Sequence, residues 1–279
     1  MAQEITDPNG SGIPAYLAKH GKVKMGNVDV TDQVIPRIKL LQALSPELQE
    51  YNDAKAGTFW HTIAAQNLGT TLMGVPIIIR KSYILWAPRN DDRGILARAM
   101  DGMHWDIPNA EFTVKPKGSA NSVTYYTRNT VQESGLDQFG SSIPGDPRSV
   151  PAASLTYNML WYFPEFPELS PSVIINTRSG VKPAQQLQTR IDSKQVAIYA
   201  QMYNIGITLV PGAEGPYFNY TYSGAGFVDE HTVNITESLY RRFADSSWVT
   251  NDEESDVADD GRAGRADKPQ PNEAMASKF

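Results

Sequence analysis

No cysteine occurs among the 279 residues, which excludes disulfides, thiolate zinc sites, iron–sulfur clusters and a cysteine nucleophile together. The chain also lacks any run near the ~20 apolar residues that a membrane-spanning helix needs. Met1–Gly12 is polar and acidic where a signal peptide is basic and then apolar. Both features lead us to expect a soluble intracellular protein with no membrane contact. Histidine is scarce: His20, His61, His104 and His231 have no second ligand at a spacing that makes a metal pair. The adjacent carboxylates Asp91-Asp92 and Asp259-Asp260 sit among turn formers or in a polar tail, and neighbours on an extended chain point apart. There is no Gly-Lys-Ser/Thr, and Gly224-Ala-Gly226 lies inside a strand pattern instead of a phosphate loop. The expectation is a protein without catalytic residues, metal or cofactor, and so not an enzyme. The enzymatic alternative is a recombination-associated nuclease or factor whose carboxylates meet only in three dimensions.

Apolar residues make up 41%, with 21 Gly and 19 Pro, enough to bury a core and too little Gly and Pro for a collagenous or wholly disordered chain. The net charge of −6 is unevenly divided. Nine of the acids lie between Asp245 and Phe279, where only Arg262, Arg265, Lys268 and Lys278 oppose them, so the rest of the chain is close to neutral. That last stretch is nearly devoid of large apolar residues and cannot repay its own ordering entropy. We therefore divide the chain into an N-terminal extension (1–55) with a short helix over Ile13–His20, a core domain (56–243) and a disordered acidic tail (244–279).

Within the core the periodicity is mostly that of strands. Val75–Trp86 reads as a long bent strand with an irregularity at Arg80-Lys81; Ile95–Ala99, Ser122–Arg128, Ser154–Phe163, Val173–Thr177, Ala197–Val210 and Tyr217–Val228 follow. Leu155, Tyr157, Met159, Trp161 and Phe163 share one face. Helical spacing appears over Lys182–Asp192 and again over Thr232–Phe243, where Ile235, Leu239 and Phe243 recur every four residues. Gly135–Pro151 is long enough for a functional loop. This order predicts a mainly β protein with a few helices: an elaborated Greek-key barrel of OB type with an N-terminal extension and a C-terminal helix, a β-sandwich being the rival.

Aromatic and cationic residues recur together: Arg80, Lys81, Tyr83, Trp86, Arg89, Arg93 and Arg98, then Trp105, Lys115 and Lys117, then Tyr125, Tyr126 and Arg128, with Arg178 and Lys182 later. Bases of single-stranded nucleic acid stack on flat rings while cations track the phosphates. Aromatics also fill the core of any β protein, so the set mixes DNA-facing and packing residues. A flexible acidic segment beside such a surface competes with phosphate at high effective concentration.

The runs Gly12-Ile-Pro-Ala-Tyr-Leu-Ala-Lys-His-Gly21, Ile35-Pro-Arg-Ile-Lys-Leu-Leu-Gln42, Tyr83-Ile-Leu-Trp86 with Arg89, Gly94-Ile-Leu-Ala-Arg98 and Ser179-Gly-Val-Lys-Pro-Ala184 resemble a family of bacteriophage single-stranded-DNA-binding proteins of replication and recombination modules. The similarity spans about Gly12 to Arg242. It implies an OB fold, sequence-independent binding of single-stranded DNA, action in the cytoplasm of an infected bacterium, and room for a homo-oligomer. It further implies an acidic tail that reaches a DNA polymerase, helicase or recombinase. Here the tail residues would be Asp252, Glu253, Glu254, Asp256, Asp259 and Asp260, with Phe279 as an aromatic tip; Ala-Ser-Lys precedes that tip where the family has acids. A virion or assembly component is the structural alternative.

Overall fold

The computed structural model of the protein describes residues 34–88, 91, 93–115, 121–212 and 215–245. The Ile13–His20 helix and the acidic tail beyond Asp245 lie outside them. The described strands are β1 (Ile38–Leu40), β2 (Phe59–His61), β3 (Gln66–Asn67), β4 (Leu72–Trp86), β5 (Ile95–Ala99), β6 (Glu111–Val114), β7 (Val123–Tyr126), β8 (Ala153–Tyr162), β9 (Ser172–Thr177), β10 (Gln201–Val210) and β11 (Tyr217–Phe227). They form a β1-β2-β3 sheet, a six-stranded sheet ordered β11-β10-β4-β8-β9 with β5 also on β4, and a β6-β7 ribbon. The chain is mainly β with few helices, as its periodicity predicts.

The strand β4 organises the molecule because it is long enough to be shared. Its start pairs with β10, its end with β5, and most of its other edge with β8, all antiparallel. The bend is not at Arg80-Lys81, which oppose Asn158 and Tyr157 in regular register. It falls between Pro76 and Ile78, where the register shifts, because proline has no N–H to give the ladder. The bulge turns both Ile77 and Ile78 to one face, and Ile79, Tyr83 and Leu85 to the other.

The expected OB-type barrel is not formed by the described strands, which make an open sheet. Both edges are occupied by other groups. Val173 of β9 bridges Arg37, and its N–H donates to the Pro36 carbonyl. Along β11 three side chains take the outward backbone groups. The Gln42 amide holds both N–H and carbonyl of Phe218, the Asn219 carbonyl oxygen accepts from Tyr220 N–H, and Arg190 donates to the Tyr222 carbonyl. Such caps prevent the edge from pairing further.

A helix covers each face of the sheet. Val181–Ser193 carries Pro183 in its first turn and lays Ala184, Leu187 and Ile191 against Met159, Trp161, Tyr203 and Tyr222. On the opposite face Glu230–Phe243 starts at Asp229, whose carboxylate accepts from Thr232 N–H. Its Ile235, Leu239 and Phe243 pack on Val75, Ile77, Leu160 and Ile175. A third cluster, built on Leu85, Leu96, Trp105, Tyr125, Val131 and Leu136, lies under the β6-β7 ribbon and the loop after Thr130. That loop opens with a capping box between Thr130 and Glu133, and is closed by Gly140 N–H to the Ser149 carbonyl. The division at residue 55 falls between two paired strands, β1 and β2. Lys39 in β1 is fully buried, and its ammonium meets Glu47 at 2.7 Å.

Two tests of this packing follow. Gly102 has φ +73°, and a Cβ there would stand 2.8 Å from the Lys81 carbonyl oxygen. Gly102→Ala is expected to cost about 2–4 kcal/mol of unfolding free energy, since left-handed backbone strain and a clash with immovable backbone add; denaturant titration measures it. Buried His61 accepts the Ala64 N–H on Nδ1, so its proton sits on Nε2. Burial pushes its pKa below 6.5, partly opposed by a hydrogen bond to the Leu169 carbonyl. The neutral form is therefore favoured by folding. The contribution is complete above pH 6.5 and is lost as pH falls through the folded-state pKa. In His61→Gln this component of the acid-side slope of stability is expected to vanish.

Candidate nucleic-acid interface

The β6-β7 ribbon places alternate side chains on two faces. Phe112, Tyr125, Val114 and Val123 point into the third cluster, which leaves Glu111, Thr113, Thr124 and Tyr126 on the other side. Tyr126 is 42% exposed. The turn that follows puts Arg128 at φ +51°, and its guanidinium stands 5.3 Å from the Tyr126 ring centroid. Lys115 is exposed at the end of β6. Arg93 reaches the same ribbon by donating to the Thr113 carbonyl at 2.8 Å, while Asp91 pairs with its guanidinium. Arg93 thus fastens the β4–β5 turn to β6, with its charge largely neutralised. Glu111, directly opposite Tyr126, is the opposing charge on this face.

Lys81 is exposed on β4, on the face that carries Ile79 toward the first cluster and Tyr83 toward the third. Its ammonium lies 4.9 Å from the Tyr83 ring centroid, and a hydrogen bond to Tyr83 holds its pKa above the ordinary value. Arg178 (φ +50°) and Lys182 are exposed at the start of the Val181–Ser193 helix, where the Ser179 carbonyl accepts from Asn219.

The other expected DNA contacts are placed differently. Tyr83, Trp86, Trp105 and Tyr125 are only 4–9% exposed, and a ring sealed in the core has no face to offer a base; stacking by these four is withdrawn. Trp105 and Tyr125 are further held by Trp105 Nε1 to Ser134 Oγ at 3.4 Å and the Tyr125 hydroxyl to the Ser142 carbonyl at 2.9 Å. Arg80 donates to the Phe243 and Ala244 carbonyls, 2.8 Å each, and so caps the C-terminal helix. Arg98 is half-buried and opposes Ile84, its backbone N–H donating to Asp106. Arg89, Lys117, Asp252, Glu253, Glu254, Asp256, Asp259, Asp260 and Phe279 lie outside the described residues. Among the described residues no group of three or more His, Cys, Asp or Glu could hold a metal ion, and no helix is long and apolar enough to cross a membrane.

Residues 8–249 match the Pam3 phage gp34-like protein family. The chain belongs to that phage protein family. No curated protein and no solved structure matches. The family match carries past the Glu230–Phe243 helix to Val249, beyond the Asp245 at which the acidic composition begins.

Proposed function

We propose that this gp34-like protein binds single-stranded DNA without sequence preference, coating replication or recombination intermediates in the infected cell and performing no chemistry on them. The observation that supports this reading best is the exposed Tyr126 ring with the Arg128 guanidinium beside it, a pairing suited to one stacked base and its phosphate. Lys115 on the same ribbon, Lys81 on β4, and Arg178 and Lys182 at the helix start supply further phosphate contacts. The reading needs no OB-type barrel. The acidic tail competes with weakly bound strands for these cations and remains free for a polymerase, helicase or recombinase. A gel shift at low salt comparing single-stranded with duplex DNA of equal length tests it, the single strand alone being retarded. Removing residues 251–279 should tighten binding, on the order of 10-fold at low salt, because the competing charge is tethered at high effective concentration. Weaker binding after the deletion would contradict the masking role.

A second reading, a virion or assembly component, is favoured by Phe139 and Val150. These large apolar side chains stand exposed on either side of the Gly140–Ser149 hydrogen bond, as contacts with a protein partner would require. Mass spectrometry of purified particles separates the two.

A further inference from the structure

The six-stranded sheet has a step at β10. Tyr203, Asn204 and Ile205 pair with Gly74, Met73 and Leu72, but β4 begins at Leu72, and Gly206 to Val210 run on past it with β11 as their strand neighbour among the described residues. The pairing with β11 fixes which backbone groups face the open side. On β11, Phe218, Tyr220 and Tyr222 turn backbone groups outward to Gln42, Asn219 and Arg190. Their ladder partners Leu209, Ile207 and Ile205 therefore turn N–H and carbonyl away from β11. Those of Ile205 lie against Leu72, whereas those of Ile207 and Leu209 meet no strand among the described residues. Ile207 packs on the first cluster, and Leu209, next along the same face, is 59% exposed. Neither β10 nor β11 contains a charged residue. Natural sheets guard an open edge with charge, proline or a bulge, and Gly206 to Val210 have none of these.

We propose that this edge pairs with the same edge of a second copy of the chain, antiparallel about a two-fold axis at Thr208, so that one sheet runs through both copies. Ile207 of each copy then faces Leu209 of the other, and the outward N–H and carbonyl groups of both residues are bonded. The same register lays each exposed Leu209 beside an Ile207. It also matches the overhang to its own length. Gly206 falls opposite Val210, and the next residue, Pro211, has no N–H to give and falls opposite Ile205, whose groups β4 already holds. Charge favours self-pairing too: an uncharged strand offers a charged peptide nothing to recognise, and two copies of it set no like charges against each other. This inference is independent of DNA binding and is tested without DNA.

Cross-linking through a single introduced cysteine decides it, since the chain has none of its own. Thr208 is exposed and would meet its copy as a non-hydrogen-bonded pair with Cα atoms ~4.5 Å apart, within reach of a disulfide. On oxidation, full-length Thr208→Cys should form a covalent dimer on the order of 10-fold faster than Thr221→Cys, whose equally exposed position lies one strand further out in each copy and ~14 Å from its mate. Adding Leu209→Pro to Thr208→Cys removes an outward N–H that the single chain does not use. It should slow cross-linking on the order of 10-fold while leaving the fold intact by circular dichroism. Should that variant not fold, Leu209→Asp sets a carboxylate against Ile207 of the other copy and should slow the reaction likewise. Equal rates for Thr208→Cys and Thr221→Cys, or a rate unaffected by the Leu209 substitutions, overturn the pairing. A Thr208→Cys chain that stays monomeric under oxidation would leave the edge to a different protein and overturn it equally.

Discussion

Replacing Trp161 with alanine is expected to lower the unfolding free energy by about 3–5 kcal/mol, with a fall in Tm of about 10 °C or more. The indole is fully buried in the middle of the sheet. It stacks on Tyr222 at 6.0 Å and 4° between planes, and on Phe163 at 6.4 Å and 24°. Removing it leaves a cavity between β8, β11 and the Val181–Ser193 helix, and elements joined through three sequence-distant segments cannot collapse to fill it. Trp161→Phe should cost much less, about 1 kcal/mol, because the indole N–H is buried with no hydrogen-bond partner. Losing that donor offsets part of the lost volume. Equal losses for the two substitutions, measured by urea unfolding, would mean that ring packing does not explain this core.

The second large effect concerns binding. Tyr126→Ala combined with Arg128→Ala is expected to weaken single-stranded DNA binding by on the order of 100-fold. A base–aromatic stack contributes about 1–3 kcal/mol, and the guanidinium adds a phosphate contact. Tyr126→Phe keeps the flat face and should bind within about 2-fold of the unmodified protein. Glu111→Gln removes the carboxylate opposite the ring and should tighten binding slightly. Fluorescence anisotropy with labelled oligo-dT measures all three. A Tyr126→Phe variant as weak as the double variant would exclude stacking as the cause.

Much of the fold was legible because burial writes a period into the chain. Ile95–Ala99 is a strand at its expected bounds, and Leu155 to Phe163 line one face because alternate residues of β8 meet the Val181–Ser193 helix. Helix positions Ile235, Leu239 and Phe243 likewise face the sheet as their spacing predicts. What was not legible depends on partners remote in sequence. The strand β6 carries the composition Glu-Phe-Thr-Val, too short and too polar to stand out, and it exists because β7 pairs with it. Lys39 is a cation inside an apolar run, and its burial depends on Glu47, which the fold brings to 2.7 Å from its ammonium. For the interface, periodicity could have warned that Tyr125 and Tyr126 cannot both face solvent, since neighbours in a strand point to opposite sides. No local signal could show that Arg80 is engaged by carbonyls more than 160 residues away, or that Trp86 and Trp105 are enclosed. Barrel closure was equally invisible, because it was decided at the sheet edges by Pro36, Gln42 and Arg190.

The salt dependence of oligo-dT binding tests the central claim most directly. Each phosphate contact to a single strand contributes about −0.7 to the slope of log K against log salt. Contacts from Lys81, Lys115, Arg128, Arg178 and Lys182 together predict a slope of about −3 to −4, reduced by about 0.7 in Arg128→Ala, with duplex DNA bound far more weakly. A slope near zero, or equal affinity for duplex and single strand, would contradict the account.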